Sequence, residues 1–237
     1  QKPGILYKAH DFVGYAILSP EGNQLAWVEW QQPFMPWDSS QLWWAELDHR
    51  GQFKTKKALA GSDAPYKKQT SVFQPVWLPN SQLAVAEDSS GWWNLMITSS
   101  SIQAESEPVW LRNWPMLAET ALPQWVYGMQ TTSWTDQGLI ACTCKEGQWS
   151  LSLLASDGNI KGVKQPFDEI SSLDAKGSKV VAIASNATTG SGLLELSLDS
   201  GEWKHTPASK EKLLQSEISK PEAFWFGGYA GNATQAW

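Results

Sequence analysis

Three kinds of side chain in this sequence could do chemistry, and spacing decides which can act together. Carboxylates lie scattered at Glu29, Asp38, Glu46, Glu87, Asp88 and Glu119. Paired acids cleave a glycosidic bond only when held across it at defined separation, and on a β surface such acids are usually solvated. His10, His49 and His205 stand alone in sequence. Cys142 and Cys144 sit two apart in "IACTCKEG", on one face of a strand and in poor geometry for a mutual disulfide. With no further ligands nearby, they read as reduced, buried thiols in a reducing compartment, with no metal and no cofactor. A serine nucleophile would announce itself as G-x-S-x-G at a strand-to-helix elbow, and the nearest strings, "GSGLL" and "SDAPY", lack that pattern. Phosphate-cradling glycine loops, H-E-x-x-H and C-x-x-C are missing too. The chain therefore carries no catalytic set of its own. One acid stands out by context: Glu119 in the apolar insert "PMLAETALPQWVYGM", either a solvated loop acid or a binding group.

What must position such residues is a repeat. An aromatic-flanked strand, a Pro/Asp/Gly turn, a second apolar strand, a Gly-aromatic turn and a third strand recur four times. The copies begin at "YAILSPEGNQLAWVEW", "FQPVWLPNSQLAVAEDSSGWWNLMITSS", "QWVYGMQTTSWTDQGLIACTCKEGQWSLSLLASDGN" and "ISSLDAKGSKVVAIASNATTGSGLLELSLDSGEW". Their first turns, at Pro20, Pro79, Asp136 and Ala175, are spaced by 59, 57 and 39 residues, a period expected of propeller blades. The extra length falls in "EWQQPFMPWDSS" and "RNWPMLAETALPQ", Pro-rich inserts that belong on loops. Residues 209 to 224 alone suggest an amphipathic helical turn, after a Ser cap and before Pro221. The expectation is an all-β chain: a partial β-propeller of about four blades, each with three to four antiparallel strands. The units span approximately 11–62, 69–117, 122–168 and 169–209, within a propeller over 1–220.

The 16 tryptophans of 237 residues sharpen this. Each buries roughly 150 to 250 Å², so most must be inside. The doublets Trp43-Trp44 and Trp92-Trp93, read as strand residues, put one ring on each face of a sheet. Both faces then need cover, which stacked blades supply and a two-layer sandwich does not. A rival reading uses tryptophans as platforms for glycans. It favours loop positions, here Trp37, Trp114 and Trp225. A net charge of −6 and the lack of a basic helix face argue against nucleic acid. The clusters Lys54, Lys56, Lys57 and Lys67, Lys68 read as solvated loops. No run is long enough to span a membrane, and the start "QKPGILYKAH" lacks signal-peptide order. A soluble, cytoplasmic protein is expected. The sequons at Asn186 and Asn232 carry little weight without a secretory signal.

Several stretches resemble the propeller of the prolyl oligopeptidase family of serine peptidases, in its dipeptidyl aminopeptidase and acylaminoacyl-peptidase branch. They are Met35-Pro36-Trp37-Asp38 with Leu42-Trp43, Gly91-Trp92-Trp93-Asn94-Leu95, and Pro123-Gln124-Trp125-Val126-Tyr127-Gly128. The resemblance implies a propeller that gates and binds peptide substrates. Its partner would be a C-terminal α/β-hydrolase domain carrying the catalytic Ser, Asp and His, with residues 221–237 as the crossover towards it. It further implies that Glu119 pairs with the free amino group of a peptide, with Trp125 and Tyr127 as further substrate-contacting candidates. At Thr120-Ala121 the sequence departs from the family's aromatic-glycine continuation. A propeller that lacks blades would expose apolar blade faces, through which copies of the chain could associate.

Overall fold

The computed structural model describes residues 4–62, 70–122, 126–210 and 213–237. Four antiparallel four-stranded sheets follow one another along the chain. The first is β1 (Phe12–Leu18), β2 (Gln24–Trp30), β3 (Gln41–Leu47) and β4 (Phe53–Gly61). The second holds β5 (Val72–Trp77), β6 (Leu83–Glu87), β7 (Asn94–Thr98) and the short β8 (Trp110–Leu111). The third holds β9 (Thr132–Thr135), β10 (Gly138–Lys145), β11 (Gln148–Leu154) and β12 (Ile160–Val163). The fourth holds β13 (Glu169–Lys176), β14 (Lys179–Asn186), β15 (Thr189–Ser197) and β16 (Trp203–Pro207). A terminal hairpin, β17 (Phe224–Gly227) with β18 (Ala233–Ala236), forms a small sheet of its own.

Strands pair in sequence order within each sheet, and the leading strands β1, β5, β9 and β13 pack against one another from sheet to sheet. They run in the same direction. Near their starts Tyr15 meets Phe73 edge-on at 4.9 Å and Thr131 donates to Gln74 Oε1, while near their ends Trp77 donates to the Ile17 carbonyl. This is the arrangement of propeller blades about an axis, four of them.

The strand patterns follow from that stacking. On β6 every residue of "LAVAE" is buried. Leu83 and Val85 face the first blade, and Ala84 and Ala86 face the third. β10 divides its residues likewise, Leu139 and Ala141 to one side and Ile140 and Cys142 to the other. The fourth blade has a neighbour on one side only, so β14 alternates strictly: Val180, Ala182 and Ala184 are buried, Val181 and Ile183 exposed.

Trp43 and Trp44 occupy opposite faces of β3, as the doublet requires. Trp44 is buried between the first two blades. Trp43 stacks at 6.3 Å on Trp27, and the stack continues through Phe53 and Tyr7. Several sequence expectations need correction. Trp92 and Trp93 lie in the turn before β7, because Gly91 takes φ +86° and bends the chain there. Lys54, Lys56 and Lys57 belong to β4, where Lys56 caps the rings of Trp43 and Tyr7 at 4.4 and 4.7 Å and Lys57 lies over Trp44. The ammonium groups of Lys56 and Lys57 lie over the ring faces, and that of Lys57 also donates to the Ser106 carbonyl at 2.6 Å. Lys67 and Lys68 fall outside the described residues. Within 209–224, the described residues form a single 3-10 turn, Gln215–Glu217, and at Phe224 the start of β17. Trp225 is a strand residue of β17. No helix among the described residues is long and apolar enough to cross a membrane.

Candidate functional site

The end of the blades at which β1, β5, β9 and β13 begin carries the long aromatic connections, and the site is built there. The β2–β3 connection, residues 31–40, is held by buried serines. Ser40 Oγ donates to the Val72 carbonyl at 2.9 Å and accepts the Val72 N–H at 2.8 Å. Ser71 Oγ donates to the Pro36 carbonyl, and the Ser71 N–H donates to Asp88 at 2.7 Å. Ser39 donates to Ser62 at 2.6 Å. Together these bonds fix the insert to the second blade, and Phe34, Met35 and Pro36 are presented on a rigid support.

The same end receives the connection from β8 to β9. Asn94 ties it down from both sides, accepting the Met116 N–H at 2.7 Å and donating to the Ala118 carbonyl at 3.0 Å. Glu119 then pairs through its backbone with Cys144 at the end of β10, with bonds of 2.9 and 2.8 Å. Its carboxylate Oε2 accepts the backbone N–H of Trp93 at 2.7 Å. Glu119 is half-buried, in contact with protein on one side and open on another. The carboxylate's negative field and burial together push the Cys144 thiol above its ordinary value, with desolvation the larger cause. Burial alone raises the Cys142 thiol to about 12. Both sulfurs are free and held protonated, as expected for inert thiols.

Tyr127 emerges from the same connection. Its ring stands over Gly14, where an added Cβ would lie 2.5 Å from Tyr127 Cε1. Its hydroxyl donates to the Val13 carbonyl at 3.2 Å, and in return Tyr15 donates to the Val126 carbonyl at 2.8 Å. A β-bulge between Gly14 and Ile17 aims Tyr15, which adopts φ +56°. Gln74 and Ser172 take the same left-handed conformation at the corresponding bulges of β5 and β13. For a bulky residue such φ values are uncommon and persist where surrounding bonds hold them; here two reciprocal tyrosine hydrogen bonds do so. Desolvation raises the Tyr15 phenol to about 12.

Between these segments opens a cleft of about 550 Å³, walled by Phe12, Tyr15, Trp30, Phe34, Met35 and Tyr127. Tyr127 and Glu119 are linked through ring contacts: Tyr127 to Tyr15 at 6.0 Å, Tyr15 to Phe73, Phe73 to Trp93 at 6.1 Å, and the Trp93 N–H to Glu119. Trp125 lies outside the described residues. Of the loop tryptophans suited to a glycan platform, Trp114 is buried and donates to the Ala155 carbonyl at 2.8 Å, and Trp37 is half-buried. The terminal hairpin closes over the same end: Trp237 packs on Gly147, and Gln235 donates to the Glu146 carbonyl at 3.0 Å. No group of His, Cys, Asp or Glu among the described residues could hold a metal ion.

Blade stacking of this kind defines a partial β-propeller. Its fold is that of the propeller portion of prolyl oligopeptidase-type peptidases. No family model and no curated protein sequence matches the chain. Among solved structures it is similar to a puromycin-hydrolyzing peptidase from Mycobacterium tuberculosis, with TM-score 0.85 and 24% identity, covering 97% of this chain and 34% of that one. A puromycin hydrolase matches with TM-score 0.85 and 25% identity over 96% of this chain and 33% of the other. Prolyl oligopeptidase B from Galerina marginata follows the same fold, with TM-score 0.72 and 12% identity over 98% of this chain and 31% of its own. The chain thus spans about a third of the length of the structures it matches.

Proposed function

We propose that this chain is the substrate-binding and gating propeller of a serine peptidase, working with an α/β-hydrolase domain that supplies the nucleophile. The hydrolase domain packs on the end where the terminal hairpin lies, with residues 1–220 as propeller and 221–237 as crossover. Peptides enter between the two, and Glu119 pairs with their free amino group. The observation that carries this reading is the seat of Glu119. A carboxylate fixed by a backbone N–H at 2.7 Å and by a two-bond backbone bridge to Cys144 is held in place before a ligand arrives, so an ammonium group meets it without ordering cost. The matched puromycin-hydrolyzing peptidase supports the peptidase setting of this reading.

The test uses the propeller joined to its peptidase domain. Glu119→Gln keeps the acceptor for Trp93 and removes the charge. Loss of a charge-assisted hydrogen bond should lower kcat/KM for substrates with a free amino terminus by roughly ten- to a hundredfold, with N-acetylated substrates unaffected. Equal behaviour of the variant and the wild type towards both substrate types would remove Glu119 from substrate recognition.

A further inference from the structure

The aromatic cleft has no role in the amino-end pairing, and its composition specifies a different ligand. Apart from the tyrosine hydroxyls and the Trp30 indole N–H, only Gln32 brings a polar side chain to the lining, and no carboxylate, ammonium or guanidinium lines it. The two tyrosine hydroxyls are spent on the backbone carbonyls of Val126 and Val13, so ring faces rather than polar ends form those walls. Phe12 and Trp30 stack nearly parallel, 5.5 Å apart and inclined by 8°. Phe12, Met35, Val126 and Tyr127 are nonetheless exposed. These exposed apolar groups converge from three separate segments on one concavity of about 550 Å³. That size is typical of a small-ligand pocket and small for a protein groove. The serine network behind residues 36–40 keeps the floor in place, so little entropy is lost when a ligand enters.

We propose that this cleft is a binding subsite for one uncharged aromatic or branched aliphatic side chain of a peptide. The rings offer offset and edge-to-face contacts to an aromatic ligand and a polarisable thioether in Met35. A lysine or glutamate side chain would lose hydration there with no opposite charge on the lining to offset it. Assigning the ligand to a peptidase substrate rests on the proposed function; the chemistry of the cleft does not.

The chain contains four methionines, and only Met35 lines the cleft, which gives a direct probe. With methyl-labelled methionine, NMR spectra of the 237-residue chain are recorded during titration with N-acetyl-phenylalaninamide, N-acetyl-leucinamide, N-acetyl-lysinamide and N-acetyl-glutamate amide. The Met35 resonance is assigned by Met35→Leu. It should shift saturably with the phenylalanine and leucine ligands, on the order of tenfold more tightly than with the charged ones. The buried Met96 resonance should stay in place. Tyr127→Ala should weaken the phenylalanine ligand several-fold while Glu119→Gln leaves it unchanged. Because every ligand is acetylated, failure of the amino-end reading cannot produce failure here. A Met35 methyl that does not move, that responds equally to charged ligands, or that moves only together with Met96 would overturn the proposal.

Discussion

Gly14→Ala separates the cleft from the stability of the fold. The added Cβ would sit 2.5 Å from Tyr127 Cε1 and 3.1 Å from Cδ1, with Trp30 at a comfortable 3.6 Å. Carbon atoms rest at about 3.5 to 4.0 Å, so the Tyr127 ring must retreat by roughly 1 Å. It has room to do so, being 65% exposed. The retreat forfeits an exposed hydrogen bond to Val13 and the edge contacts with Tyr15 and Trp30, about 1 to 2 kcal/mol together. Against this, alanine in a strand gains roughly 0.5 to 1 kcal/mol over glycine by restricting the unfolded chain. The two nearly cancel, and urea unfolding should show a change within about 1 kcal/mol. Ligand binding in the cleft should fall several-fold in the Met35 titration, because the wall has moved. In a Tyr127→Ala background the clash is absent, and the same Gly14→Ala should stabilise by roughly 0.5 kcal/mol. A loss above about 2 kcal/mol in both backgrounds would mean that the methyl meets backbone instead of the ring, refuting the geometry.

Two further outcomes follow from the blades. At Gly192 on β15 an added Cβ would lie 2.4 Å from the Thr206 carbonyl oxygen and 2.7 Å from Pro207 Cα, both main chain, so Gly192→Ala should cost about 2 to 3 kcal/mol and speed amide exchange in β16; an unchanged midpoint would contradict the β15–β16 register. The Cys142 thiol, raised to about 12 by burial, stays protonated while an unfolded thiol ionises near 9.0. Its contribution is therefore complete below that value and is lost as pH rises through the window up to the folded value. Cys144, also raised, acts in the same sense. Denaturation midpoints should fall from about pH 8 to pH 10, less steeply in a Cys142→Ala/Cys144→Ala variant; a midpoint that rises over that range would refute the burial argument.

Blade number and stacking were legible in the sequence because each depends on local pattern: turn residues at regular spacing, and runs such as "LAVAE" that are apolar on both faces. The Trp43-Trp44 pair declared two covered faces for the same reason. Trp92-Trp93 misled because a glycine with φ +86° can end a strand pattern without changing its hydropathy. The lysines of β4 misled because charges flanking a Gly/Ser/Pro stretch resemble a solvated loop, whereas cation-π contacts let them serve as strand residues over aromatic rings. The cleft was not legible. Its walls come from residues 12–15, 30–36 and 126–127, and the bulge that aims Tyr15 depends on a conformation that tyrosine rarely adopts. The available signal was the Pro-flanked "QQPFMPWDSS", which placed Phe34 and Met35 on a loop where burial could not account for them.

The two ends of the blades are built to different rules, and this gives the site its location. At the far end most chain reversals are tight and close on themselves, the connection from β7 to β8 being the exception. Ser19 bonds Gln24, Asp48 bonds Gln52, Leu78 bonds Gln82 and Ala155 bonds Asn159, each through backbone groups. Such turns need only polar residues and glycine. At the near end, residues 31–40 and the described residues of 112–131 exceed what reversal requires, and they are held by contacts to the blades: Ser40 to Val72, Met116 to Asn94, Glu119 to Cys144 and Tyr127 to Val13. Ordering such lengths of chain costs backbone entropy that the reversal alone would not demand. What that ordering produces is a seated carboxylate and a fixed apolar cleft at the end where the terminal hairpin packs. Under the proposed function, Glu119 would meet the free amino group and the cleft an uncharged side chain, two features of one peptide end.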